Sequence, residues 1–352
     1  MKEVMLTGTM DPARIDAIRR QFPILDQTVH GKPLVYFDNA ASSQKPEAVI
    51  SSIDNYYRTI HSNVHRGVHH LSNLATEAQE DARRKVRKFV NAEHEHEIIF
   101  TKGATESLNL AAFSLGEMIL EEGDEVLVST MEHHANIVPW QMACSRTGAT
   151  LKTLPINDSG VLETPEEHLT DRTRILALVH VSNTLGTINA IKPLIKAAKK
   201  RGIVVVIDGA QAVPHMQVDV QELDCDLYAF SAHKMYGPTG VGVLYGKEAL
   251  LERMPPYQGG GEMIDQVTFE KTTYAGLPFK FEAGTPNVAG IIGLGAAVDW
   301  MNETGIEGIA QQEQMLLEEA TSILKGIDGV KMIGEAPHKA GVASFVVEGV
   351  HH

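Results

Sequence analysis

Apolar and polar positions fall into two rhythms along this chain, and their order predicts its architecture. Residues 11–22 have helical spacing, with Ile15, Ile18 and Phe22 on one side and Pro23 as a stop. The run 34–41 predicts a short strand that opens into a turn of small residues around Ala40. A helix is expected over 46–60, then a loop over 63–70, then a charged amphipathic helix over 76–90. From Ile98 to about residue 247 short apolar runs alternate with helical stretches. The predicted strands are 98–101, 125–129, 175–182, 203–207, 227–230 and 241–245. Such alternation is the signature of an α/β fold with a mostly parallel, doubly wound sheet. Further on, 289–300 and 305–325 read as helices and 342–347 as a strand. No internal repeat or low-complexity segment interrupts the pattern.

At 352 residues the chain exceeds what one core usually serves, so two domains are expected. A net charge of -14 argues against nucleic acid or an anionic membrane as a partner, since both need a basic face. The 2 cysteines, Cys144 and Cys225, make neither a disulfide framework nor a thiolate metal site. Met1–Met5 opens no long apolar leader, and no apolar run is long enough to span a bilayer, so the cytoplasm is the expected location.

The candidate chemistry lies where predicted strands end. In a parallel sheet, side chains leaving the carboxyl ends line the ligand crevice. Ser231-Ala232-His233-Lys234 follows one apolar run, and Asp208-Gly209-Ala210-Gln211 follows another. One amine, one carboxylate and one amide thus share an edge. Lys234 alone reads as a surface lysine; with Asp208 and Gln211 it suits pyridoxal phosphate. An amine can hold that cofactor covalently, while a buried acid keeps its ring nitrogen protonated. Thr105 opens a helix after the strand 98–101, where free amides and a hydroxyl make either an anion site or a plain cap. His133 follows the strand 125–129 and could stack on a flat ring, move a proton or hold structure. Asn183 sits beyond the strand 175–182. In the run 91–97, His94 and His96 alternate with carboxylates, which a solvated turn explains better than a metal.

Together these strings carry a resemblance. Asn63-Val64-His65-Arg66-Gly67-Val68-His69, Met131-Glu132-His133-His134-Ala135-Asn136, His180-Val181-Ser182-Asn183, Asp208-Gly209-Ala210-Gln211, Ser231-Ala232-His233-Lys234 and Phe281-Glu282-Ala283-Gly284-Thr285-Pro286-Asn287 stand in the order and spacing of a Suf-type cysteine desulfurase. That group belongs to the class-V aminotransferases of fold type I, which also include selenocysteine lyases. The resemblance implies a pyridoxal-phosphate enzyme that takes sulfur from L-cysteine, releases L-alanine and leaves a persulfide for iron–sulfur cluster assembly. It implies that Lys234 and His133 act in catalysis, Asp208 on the ring nitrogen and Gln211 on the phenolic oxygen. Thr105, Ser231 and His233 would bind the phosphate, joined in a homodimer by Thr285 of the second copy. Asn183 would lie near the substrate and the cofactor's ring oxygen, and Ala40 with its neighbours would line the substrate pocket. Ala104 replaces a threonine frequent there, which removes one hydroxyl from the phosphate site.

The resemblance also implies a large domain over 31–288, a small one over 289–352, and an N-terminal segment, 1–30, packing with the small domain. The family's persulfide cysteine and an arginine that grips the substrate carboxylate are expected after Lys234, yet no cysteine follows that residue. Cys225 lies between Asp224 and Asp226, which disfavour a thiolate, and Cys144 reads as a packing residue. A chain truncated at its C-terminus is the expectation, inactive as it stands but complete in its natural form. Alternatives are a selenocysteine lyase acting on L-selenocysteine and a catalytically silent scaffold. A sulfur-acceptor protein of the Suf system is the implied partner.

Overall fold

A seven-stranded sheet forms the centre of the computed structural model, which describes residues 10–351. Met1–Met5 and His352 lie outside the described residues. The strands are β1 (Ile98–Thr101), β2 (Glu125–Ser129), β3 (Thr150–Leu154), β4 (Thr173–Val179), β5 (Val204–Asp208), β6 (Leu227–Ser231) and β7 (Gly242–Gly246). They lie in the order β1-β7-β6-β5-β4-β2-β3. β3, β2, β4, β5 and β6 are parallel neighbours, while β7 runs antiparallel to both β6 and β1. Two reversals cancel, so β1 points the same way as the parallel set. Thr101, Ser129, Val179, Asp208 and Ser231 therefore all end at one edge of the sheet, where an open α/β fold places its ligand.

Burial on both faces explains why the strands read as apolar runs rather than alternating ones. Leu178, Ile207, Phe230 and Val243 face one core, whereas Ala177, Val206, Ala229 and Leu244 face the other. That is the two-residue period of a pleated strand. The helices covering the sheet are α1 (Pro12–Arg19), α2 (Glu47–Thr59), α3 (His70–Phe89), α4 (Ala104–Ile119), α5 (Val138–Thr147), α6 (Ile191–Lys200), α7 (Val288–Thr304) and α8 (Ile306–Lys325). α3, α6 and α7 close the first core through residues such as Val86, Leu194 and Leu294. α4 and α5 close the second through Leu108, Leu115 and Trp140. The fold is thus the expected one, mixed α/β around a mostly parallel sheet.

Several elements differ from the sequence reading. The run expected as a strand at 34–41 joins no sheet among the described residues; its Val35 is 70% and its Phe37 93% exposed. An apolar run becomes a strand only where an edge accepts it. Here side chains hold the backbone instead, with Tyr36 Oη donating to the Ser42 carbonyl at 2.8 Å. The helix expected from residue 76 begins at His70, because the His69 ring accepts the Ser72 N–H and caps it earlier. β4 stops at Val179, after which Val181 bridges back to Ile188. The late strand Ser344–Val347 pairs antiparallel with Val330–Ile333. At the other end, Phe22 packs edge-on against Trp300 with centroids 5.4 Å apart, and Arg14 donates to the Thr304 carbonyl at 2.7 Å. Among the described residues no helix is long and apolar enough to cross a membrane.

Candidate active site

This edge of the sheet opens into a cavity of about 510 Å³, which the strand ends Val179, Asp208 and Ser231 help to line. Ala40, Ala104, Thr105, His133, Asn183, Asp208, Gln211, Ser231, His233 and Lys234 all line it. Ten predicted site residues thus meet in one place, although they span nearly two hundred positions. The exception is Thr285, which is exposed and lines a smaller cavity of about 290 Å³ with Thr101, Lys102 and Asn287. The turn that carries Thr101 through Glu106 separates the two cavities.

Asp208 is the last residue of β5 and is wholly enclosed, with Oδ1 accepting the Ala210 N–H at 3.0 Å. Burial pushes its carboxyl upward, opposed by that bond and by the charges of Lys234 and His133. A short 3₁₀ turn, Ala232–Lys234, carries Lys234 off β6. Its Nζ has no hydrogen-bond or ion-pair partner among the described residues, and burial lowers its pKa while Asp208 opposes the shift. A lysine so placed spends more of its time as a nucleophilic amine. Gly209 makes the turn between Asp208 and Gln211 possible. A Cβ there would lie 1.9 Å from the Tyr228 ring, so only glycine fits.

Gln211 Nε2 donates to the Ala40 carbonyl at 2.6 Å, while its Oε1 is buried without a partner. Buried amide oxygens are rarely left so, which marks a place where a ligand belongs. His133 sits at the mouth, and its Nδ1 accepts the Ala135 N–H at 3.1 Å. A backbone N–H can only donate, so the neutral ring carries its proton on Nε2. Burial and then Lys234 hold its pKa below the usual value.

Ser231 Oγ accepts the Ala104 N–H at 2.7 Å, binding the end of β6 to the start of α4. Thr105 lies in that first helical turn, where amides lack intrahelical partners and the helix dipole favours an anion. The approach is close: a Cβ on Gly242 would fall 2.4 Å from Gly103 Cα. With an alanine at 104, the residue offers its backbone alone.

Other participants were not evident in the sequence. The His233 carbonyl accepts Lys45 Nζ at 2.8 Å and Ser43 Oγ at 3.2 Å, and burial lowers Lys45 to about 8. These bonds fasten the Ala40 segment beside Lys234. Behind Asp208, the buried His180 ring meets Tyr228 Oη at 3.0 Å. Neither cysteine belongs to the cavity. Cys225 is fully buried and its thiol is pushed up to about 12, by burial first and Asp226 next. Sequence proximity had suggested the flanking carboxylates as the cause; enclosure proves the larger. Cys144 packs inside α5, and burial raises it too. His94 and His96 stack at 5.0 Å beside Glu248, away from the cavity.

Comparison with known proteins agrees with this geometry. Residues 35–352 match the class-V aminotransferase family. A probable cysteine desulfurase of Halalkalibacterium halodurans is 51% identical over 95% of this chain and 82% of its own length. A cysteine desulfurase of Synechococcus elongatus is 50% identical over 95% of this chain, which spans only 54% of that protein. The crystal structure of the cysteine desulfurase CsdA from Escherichia coli superposes with a TM-score of 0.88 at 41% identity, covering 98% of this chain and 84% of the other. The chain belongs to the class-V aminotransferase family, and pyridoxal phosphate is the cofactor that membership implies. Both of these relatives, at about 50% identity, bear the name cysteine desulfurase, the first as a probable one.

The residues present fit that cofactor. The cavity pairs an unpartnered amine with a buried carboxylate, leaves Gln211 Oε1 unsatisfied, and sets a helix N-terminus with two hydroxyls at one end.

Proposed function

We propose that this chain is a cysteine desulfurase, which removes sulfur from L-cysteine, releases L-alanine and passes the sulfur to a thiol as a persulfide. The observation that carries the reading is the free Nζ of Lys234 opposite the enclosed carboxylate of Asp208. Bound pyridoxal phosphate supplies an electron sink that weakens bonds around the substrate α-carbon. Lys234 holds the cofactor through its amine and afterwards moves a proton at the α-carbon. Asp208 keeps the ring nitrogen protonated, and Gln211 meets the phenolic oxygen. His133, whose Nδ1 is taken by the Ala135 N–H, would lie against the ring and could accept or return a proton at Nε2. Thr105, Ser231 and His233, with the first turn of α4, hold the phosphate; Ala104 contributes its backbone. Asn183 and the Ala40 segment bound the substrate.

Neither Cys144 nor Cys225 can take the sulfur, since both thiols are buried, raised and outside the cavity. The attacking thiolate is therefore a different one. Thr285 lies outside the cavity of its own chain, which supports a homodimer in which it completes the second copy's phosphate site. The contacts of Phe22 and Arg14 with α7 support the packing of the described part of the N-terminal segment, residues 10–30, with the chain beyond 288. A large domain over 31–288 and a small one over 289–352 remain part of the proposal, with α7 shared because it also closes the core of the large sheet. The persulfide needs an acceptor, and a sulfur-acceptor protein serving iron–sulfur assembly is the partner this reading proposes.

Borohydride reduction of the yellow protein, followed by peptide mapping, tests the assignment. The cofactor should be fixed to Lys234, and a label on any other lysine overturns the reading.

A further inference from the structure

Glu132 is buried and does not line the cavity, although His133 beside it and Ala135 beyond it do. Its Oε1 accepts the Ser129 hydroxyl at 2.5 Å and the Val179 N–H at 2.9 Å. Its Oε2 accepts the Asn136 amide at 2.7 Å, while Trp140 Nε1 donates to Asn136 Oδ1 at 2.9 Å. The polarity of this chain of bonds is fixed at both ends. An indole N–H and a backbone N–H can only donate. Asn136 must therefore give its oxygen to Trp140 and its NH₂ to Glu132. Glu132 receives three donors, so the pocket is built for a carboxylate. Burial opposes the ion and pushes its pKa up to about 7, with the three bonds pulling the other way. A buried acid outside the chemistry calls for a reason to be there.

Geometry supplies one. Ser129 and Val179 are the last residues of the adjacent strands β2 and β4, so the carboxylate ties two strand ends at the cavity rim. Through Asn136 it also fixes the short turn His134–Asn136, whose Ala135 N–H sets the tautomer of His133. We propose that Glu132 is a positioning residue that holds His133 in one tautomer and one orientation at the cavity mouth, acting through Asn136. What His133 then does rests on the function proposed above; its placement belongs to the chain alone.

The test is ¹⁵N NMR of histidine-labelled, cofactor-free protein, with His133→Asn assigning the signal. Wild type should show Nδ1 unprotonated and Nε2 protonated at neutral pH. Glu132→Gln matches the shape but must set an NH₂ against Asn136 or Val179. It should give a mixture of His133 tautomers and shift that ring's titration toward its ordinary range. In the loaded protein kcat should fall by about ten- to a hundredfold with KM little changed, a fraction of what acid–base groups supply. Should Glu132→Gln not fold, Asn136→Ala decides, since it cuts the link between Glu132 and the turn while keeping the carboxylate. It should loosen the tautomer in the same direction. A folded variant of either kind with the wild-type tautomer and titration overturns the proposal. A changed tautomer with undiminished turnover supports the positioning role and instead overturns the part given to His133.

Discussion

Arg83 on α3 and Glu282, 199 residues later, form a two-pronged ion pair inside the protein, at 2.8 and 3.0 Å. The guanidinium is 1% exposed; it also holds Glu80 and the Ile98 carbonyl, and Glu282 accepts the Phe100 N–H at 2.7 Å. Every charge-bearing atom is thus occupied, and the segment leading to Thr285 is fastened to β1. Arg83→Met should destabilise the fold by about 3–5 kcal/mol, because it strands a buried carboxylate. Arg83→Met with Glu282→Gln should cost less than the sum of the single changes. Urea denaturation of the three variants checks both statements, and additive losses would show that the pair is not coupled.

Ser231 is the only side chain that meets the Ala104 N–H among the described residues. Ser231→Ala leaves that amide unpaired, which should cost about 1–2 kcal/mol. Pyridoxal phosphate should bind at least several-fold more weakly, as read by fluorescence titration. Ser231→Thr retains a hydroxyl and should recover most of both losses. Unchanged affinity in the alanine variant would remove Ser231 from the phosphate site.

Burial lowers His180 to about 4, and its Nδ1 faces the Tyr228 hydroxyl. Between pH 6.5 and 4 the unfolded chain binds a proton that the folded chain refuses. The stabilising contribution is therefore fully present above this window and lost as pH falls through it, by up to about 3 kcal/mol. His180→Asn should be less stable at pH 7.5, yet its stability should fall less steeply on acidification. Equal slopes in urea unfolding from pH 7 to 5 would contradict the assignment.

Both thiols should be silent in the folded protein. Cys225 is 0% and Cys144 6% exposed, and burial raises each pKa. A chromogenic disulfide reagent at pH 7.5 should react with neither until denaturant is added, and with both afterwards. Incubation with pyridoxal phosphate and L-cysteine should put no persulfide on them, as judged by mass spectrometry. A persulfide on Cys225 would require the core to open during turnover.

Much of this molecule could be read from the chain itself. β2, β5 and β6 announced themselves because strands buried on both faces must be apolar throughout, and their polar terminal residues marked the ligand edge. Asp208, Gln211, Ser231 and Lys234 followed from that edge and from the motifs around them. Elements that local patterning does not encode were missed. The edge strand β3 is mostly polar and exposed, so it carries no periodic signal, and Val330–Ile333 forms only by pairing with Ser344–Val347. The run 34–41 looked like a strand, but no sheet edge was available to it. Ion pairs and hydrogen bonds between distant residues were equally invisible. Arg83 with Glu282, Lys45 on the His233 carbonyl and the donors around Glu132 each depend on which strand ends become neighbours. Residue type settles what a side chain can donate, accept or ionise. Only the packed fold decides which partners reach it and how much water is left around it, and those two conditions set its charge and its use.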